Sequence, residues 1–145
     1  MKLILQRVHD AAVTVDGTVT GSIDRGLMAL VGVGHHSTEG DARWLAGKAE
    51  GLRVFSDEEG RMNRSVVDVA GGILAVSQFT LSGNVDKGRR PSFIDAADPE
   101  RGQHLYEVFC DALTVPVGRG VFGAHMDIAM TCDGPVTIVL QREGT

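Results

Sequence analysis

At 145 residues, with 43% hydrophobic residues and 19 glycines, the chain has the composition of one turn-rich globular domain, neither disordered nor multi-domain. Its formal net charge of −5 excludes a protein that coats nucleic acid, DNA included, by charge alone, while permitting a local basic patch. No apolar run approaches the ~18 residues of a membrane span, and Met1–Arg7 is too poor in apolar residues for a signal-peptide core, so a cytoplasmic protein is expected.

The first third reads as strands. Residues 3–8 alternate in the manner of a strand with one face in a core. Val13-Thr14-Val15-Asp16-Gly17-Thr18-Val19 places Asp-Gly between β-branched runs, a hairpin signal. Gly26–Gly34 reads as a strand buried on both faces. Thr38 with Asp41 has capping-box spacing, and Ala42, Leu45, Ala46, Ala49 and Leu52 then form one helical stripe, weakened by Gly47 and Gly51. Gly72–Leu81 reads as a strand and Ser82–Pro91 as a mobile polar loop. Asp98-Pro99 opens a second helix whose buried face is Leu105, Val108, Phe109, Ala112 and Leu113. Val115–Val121, Asp127–Cys132 and Val136–Gln141 complete the strands. The order predicts a single α/β domain over residues 1–145, with mixed β-sheets and two main helices. Cys110 and Cys132 lie in apolar segments without disulfide or zinc spacing and read as two buried, reduced thiols.

Three clusters carry possible chemistry. Ser77-Gln78-Phe79-Thr80-Leu81 ends a strand, where hydroxyls and an amide can line a pocket and free backbone N–H groups can hold an oxyanion. The same hydroxyls can equally satisfy local backbone groups. Cys132-Asp133-Gly134-Pro135-Val136-Thr137 reads either as a hairpin connection or as a loop that presents bare carbonyls to a ligand. Lys87-Gly88-Arg89-Arg90 is either a phosphate-binding patch or a solvated charge run. The chain has no Gly-x-Ser-x-Gly elbow, His-Glu-x-x-His or P-loop. His35-His36 has no second ligand cluster, so neither a metal nor a cofactor is expected.

Taken together these clusters resemble the D-aminoacyl-tRNA deacylase (D-tyrosyl-tRNA deacylase) family. The resemblance runs from Gln6-Arg7-Val8 through Gly51–Phe55, Met62-Asn63, Ser77–Leu81, Lys87–Phe93 and Phe122-Gly123-Ala124 with Met126, to Asp133–Thr137. It rests chiefly on Ser-Gln-Phe-Thr-Leu and Gly-Pro-Val-Thr occurring in this order. The resemblance implies hydrolysis of the ester joining a D-amino acid or glycine to tRNA, in a homodimer. It also implies a cis Gly134-Pro135 bond, inserted into the partner's site with its carbonyls against the substrate's α-amino group, leaving no room for an L side chain. Ser77, Gln78, Phe79 and Thr80 would line the catalytic pocket, with N–H groups near Phe79 and Thr80 on the oxyanion and the terminal adenosine's 2′-hydroxyl assisting water. Thr80, lacking a neighbouring base, is assigned to positioning. Arg7 would steady the Gly-Pro loop, Phe122 and Met126 would border the adenine pocket, and Lys87, Arg89 and Arg90 would meet tRNA phosphates. The chain departs from common family residues at Ser82, His125 and Cys132, outside both motif cores. Two other readings compete: a thiol hydrolase using Cys132 with His125, and a non-catalytic RNA- or partner-binding module.

Overall fold

In the computed structural model, which describes residues 1–144, Asp16 and Gly17 both take positive φ, 48° and 79°. This is the primed turn that matches the right-handed twist of hairpin strands. It joins β1 (Lys2–Val15) to β2 (Thr18–Ile23), so the alternation at residues 3–8 and the first arm of the hairpin belong to one long strand. β3 (Gly26–Gly32) returns antiparallel along the first half of β1.

Helix α1 (Glu39–Gly51) starts where its cap predicts: Thr38 Oγ1 accepts from the Asp41 N–H, and the Asp41 carboxylate accepts from the Thr38 N–H. A separate small hairpin, β4 (Phe55–Ser56) with β5 (Met62–Arg64), follows and was not foreseen. β6 (Gly72–Ser77) lies parallel to β3. Helix α2 (Pro99–Ala112) is capped by Asp98, whose side chain accepts from the Arg101 N–H. β7 (Val117–Arg119) lies parallel to β6, and β8 (Asp127–Gln141) runs antiparallel along β1. Residues of β1 that pair with β2 or β3 also pair with β8, so β8 occupies the other side of β1 and forms an edge of the sheet. The result is the mixed α/β domain with two helices read from the sequence.

Strand alternation divides the apolar residues between two faces. Leu3, Leu5, Leu27, Ala29, Val31, Ile73 and Ala75 join the main core with Leu45, Ala49, Leu105 and Phe109 of the two helices. Val8, Val13, Met28, Leu74 and Val76 form a smaller cluster, against which Met126 and Ile128 pack. The α2 face differs slightly from expectation: Tyr106 and Cys110 are buried, whereas Val108 and Ala112 are only partly so.

Four boundaries need correction. The strand read as Gly72–Leu81 stops at Ser77. Its Gln78 N–H donates to Val31 O at 2.8 Å, after which β3 ends and offers no further ladder, so Phe79–Ser82 tightens into a 3-10 turn. The strand read as Val115–Val121 shortens to Val117–Arg119, its start set after Pro116, which has no N–H to donate. The strand read to Gly34 ends at Gly32. The two last strands are one, β8, and Cys132–Thr137 is no hairpin connection. Gln6 pairs with Thr137 and Val8 with Cys132, so residues 133–136 bulge out opposite Arg7 alone. Cys110 is buried as expected but Cys132, on this edge strand, is exposed.

Candidate functional site

β3, β6 and β7 run parallel, and their carboxyl ends open on one side, where parallel sheets usually bind ligands. Ser77 closes β6 there. In the turn that follows, the Leu81 N–H reaches back to Gln78 O at 3.3 Å and the Gly83 N–H to Thr80 O at 3.0 Å. The Phe79 and Thr80 N–H groups stand at the start of this turn and so have no acceptor within it. Gln78 Nε2 donates to Thr80 Oγ1, which occupies the hydroxyl locally.

The opposite wall follows β7. The Gly120 N–H donates to Ala75 O at 3.0 Å, and the Tyr106 hydroxyl donates to the same carbonyl at 2.8 Å. Burial pushes the Tyr106 hydroxyl well above the ordinary tyrosine pKa, so it stays a donor. The Tyr106 ring lies 6.3 Å from that of Phe122, and Phe79 meets Phe93 edge-on at 5.2 Å.

Between these walls lies a cavity of about 590 Å³. Ser77, Gln78, Phe79, Phe93, Phe122, His125 and Met126 line it, together with Ala96, Ala97 and Pro99. It is mostly apolar with a few polar groups, the usual character of a small-molecule site. Thus Ser77, Gln78, Phe79, Phe122 and Met126, far apart in sequence, meet in one place. Thr80 adjoins the cavity through Gln78 without lining it. A separate hollow of about 480 Å³ beside Met1 and His35 contains none of the predicted site residues.

Arg7, Gly134 and Pro135 form a second locus. Arg7 is buried; its Nη1 donates to Val54 O at 2.6 Å and its Nε to Asp133 O at 3.2 Å. Nη2 lies 3.4 Å from Asp133 Oδ1, and Nε is 3.3 Å from Oδ2. Gly134 has φ +126°, and a Cβ there would stand 3.0 Å from the Val136 nitrogen and 3.3 Å from Arg7 Nη2. Only glycine takes this backbone easily beside the guanidinium. The Gly134-Pro135 peptide is cis, and both residues are exposed. Neither lines the cavity of its own chain.

Lys87, Arg89 and Arg90 lie exposed on a loop closed by paired hydrogen bonds between Asn84 and Ser92, at 2.8 and 2.9 Å. They do not line the cavity. His125 does, with Nε2 3.8 Å from Asp127 Oδ1, but Cys132 pairs with Val8 on β8 and lies outside it, which disfavours a shared thiol site. Among the described residues no group of three or more His, Cys, Asp or Glu could hold a metal ion, and no helix is long and apolar enough to cross a membrane. Sequence reasoning missed Ala96, Ala97, Pro99 and Tyr106. Small residues ahead of a helix and a buried tyrosine carry no periodic signal; only the rarity of Tyr, one in the chain, marks Tyr106.

The family model described as D-Tyr-tRNA(Tyr) deacylase matches residues 4–141. A D-aminoacyl-tRNA deacylase of Thermomicrobium roseum is 56% identical over 143 residues, covering 97% of this chain and 93% of the relative. One of Exiguobacterium sibiricum is 55% identical over 145 residues, covering 98% and 100%. Among solved structures, a c-Myc DNA unwinding element binding protein superposes with TM-score 0.92 at 39% identity, covering 98% of this chain and 99% of that one. A probable eukaryotic D-amino acid tRNA deacylase, at 21% identity and TM-score 0.79, covers 96% and 97% and shares the fold. The chain belongs to the D-Tyr-tRNA(Tyr) deacylase family.

Proposed function

We propose that this protein hydrolyses the ester of D-aminoacyl-tRNA and of mischarged Gly-tRNA, releasing tRNA and the free amino acid, as a homodimer in the cytoplasm. Relatives named D-aminoacyl-tRNA deacylase along nearly the whole chain support the activity. One structural observation carries the finer reading. The cavity is lined by Phe79, with the Thr80 N–H adjoining it in the same turn, and by an aromatic and thioether wall at Phe122 and Met126, while the exposed Gly134-Pro135 bulge lies outside it. A cavity with room for an ester-linked adenosine but no chiral filter of its own fits a filter supplied by a second copy.

In this reading the terminal adenine rests against Phe122 and Met126, and the ester carbonyl faces the turn after Ser77. Water adds to the carbonyl carbon, assisted by the adenosine 2′-hydroxyl, and the oxyanion accepts from the Phe79 and Thr80 N–H groups. Collapse expels the tRNA 3′-oxygen, which takes a proton, and frees the amino acid. The partner copy's Gly-Pro carbonyls accept from the substrate's α-ammonium group and exclude an L side chain; hydrogen on both sides lets glycine pass. Arg7 holds that bulge, and Lys87, Arg89 and Arg90 meet tRNA phosphates. Neither metal nor cofactor enters this scheme.

The test compares D-Tyr-tRNA, Gly-tRNA and L-Tyr-tRNA at one enzyme concentration; equal turnover of the D and L esters overturns the chiral assignment. Mixed dimers test the division of labour. With a loop variant in one copy and a blocked pocket in the other, an intact pocket still meets an intact loop, and activity persists. With both changes in one copy, the intact pocket meets the altered loop and activity is lost. The reverse pattern means the loop serves its own chain.

A further inference from the structure

We propose that Gly120 is a positioning residue of the cavity: its missing side chain is what lets the Met126 thioether lie back in the wall instead of in the ligand space. This rests on the function proposed above for its kinetic consequence, though its structural part stands alone.

Gly120 does not take a positive φ, unlike Gly17, Gly123 and Gly134, so its backbone accommodates an L side chain without strain. Glycine there must have a reason in packing. A Cβ on Gly120 would stand 2.6 Å from Met126 Sδ, closer than such atoms approach, with Val13 Cγ1 at 3.8 Å and Ala75 O at 3.9 Å on its other sides. One of the two must yield, and the backbone of Gly120 is fixed. Its N–H is bound to Ala75 O, whose other donor is the buried Tyr106 hydroxyl. Retreat would break a hydrogen bond and disturb a second one on the same carbonyl.

Met126 is therefore the group that moves, and its exits are unequal. Inward it packs on the cluster of Val8, Val13, Leu74 and Val76, each no more than 1% exposed, which offers no free volume. On its other side is the cavity of about 590 Å³ that Met126 itself lines. An unbranched thioether with three rotatable bonds swings easily, so an added methyl at Gly120 turns Met126 into the cavity, where it faces Phe122. Met126 is on the wall assigned to adenine, away from the turn that holds the oxyanion. The intrusion consequently weakens binding more than it slows chemistry.

The experiment is Gly120→Ala, alone and with Met126→Ala. In the ligand-free protein, the Met126 methyl resonance, assigned by its loss in Met126→Ala, should shift in Gly120→Ala; an unmoved resonance overturns the proposal whatever the enzyme acts on. With D-Tyr-tRNA, KM should rise roughly fivefold to a hundredfold while kcat stays within about twofold, the pattern of lost ground-state binding. Adding Met126→Ala should bring KM back to that of Met126→Ala alone, and should also recover any stability that Gly120→Ala loses. A rise in KM that persists in the double variant, or a fall confined to kcat, overturns it. A shifted resonance in a protein that deacylates no aminoacyl-tRNA would instead tell against the proposed function and leave the packing inference supported.

Discussion

Replacing Arg7 with lysine tests whether the Gly134-Pro135 bulge is held from beneath. The guanidinium bridges two separate segments, with Val54 O on one side and Asp133 O and its carboxylate on the other. Lysine keeps the charge but carries its donors on a single nitrogen, which cannot span both segments. At least one charge-assisted hydrogen bond is lost, worth about 1.5–3 kcal/mol when buried. The Asp133 side is discounted because its side chain is 27% exposed. A net loss of about 2 kcal/mol is the expectation, read from the urea midpoint at fixed protein concentration, since association of copies would itself add apparent stability.

The kinetic consequence separates a structural arginine from a functional one. A loosened bulge should reduce kcat/KM for D-Tyr-tRNA by up to about 100-fold, the scale of a small misplacement, and should narrow the ratio between D and L esters. An Arg7→Lys protein that loses the stability but keeps the full D-to-L ratio would show that Arg7 supports the sheet and not the filter. One that loses neither would refute the bridging account.

Thr80→Ala should keep substantial activity, because the hydroxyl is engaged by Gln78 and the backbone donors remain; a loss beyond ~10³-fold in a folded protein would make Thr80 a chemical participant. Replacing Lys87, Arg89 and Arg90 together with alanine should raise KM for charged tRNA and flatten its salt dependence; an unchanged salt slope would identify the loop as a solvated charge run. Asp57 accepts the N–H groups of Arg61 and Glu59 and the Asn63 side-chain amide, which hold its carboxyl below the usual 3.8. Because the folded-state pKa is depressed, its contribution is full above 3.8 and fades as pH falls through the folded value. Asp57→Asn should therefore lower Tm at neutral pH, with the gap to the parent closing in strong acid; a gap independent of pH would contradict this.

The elements legible in the sequence were those with a local cause. Asp16-Gly17 set its turn through φ, and Thr38 with Asp41 and Asp98 with Pro99 set the helix starts through capping. Alternation marked residues 3–8 as a strand with one face in the core, and in the fold that face carries Leu3, Leu5 and Arg7. What failed had a distant cause. The end of β6 depends on where β3 stops, some 45 residues earlier in the chain, and no window around Ser77 contains that. Gly-Pro reads locally as a turn, yet β1 runs past it unbroken, and the bulge exists because Arg7 fills the gap opposite it. Likewise the exposure of Cys132 follows from β8 being an edge, a fact of sheet order. At the site, the motifs named Ser77, Gln78, Phe79, Phe122 and Met126, whereas Ala96, Ala97 and Pro99, which complete the cavity wall, are small residues with nothing local to mark them as lining.

The same edge bears on the proposed division of the site between copies. β8 is a 15-residue strand with one side unpaired in the single chain, and Met130 and Val139 on it are exposed. Long edges invite association unless something covers them. The bulge at residues 133–136 interrupts this edge where a flat strand would be most adhesive, and it is also the segment the proposed chemistry needs in a neighbouring cavity. A filter that rejects by position must be rigid. A bulge anchored by Arg7 to both Asp133 and Val54 is tied into two parts of its own fold and can be presented outward without relying on the pocket it enters. Were the filter part of the pocket's own turn, movement that admits the substrate would also loosen the filter. In the proposed dimer, carrying it on a second copy would separate the two tasks: one chain would adapt to the ester while the other held the stereochemical boundary still.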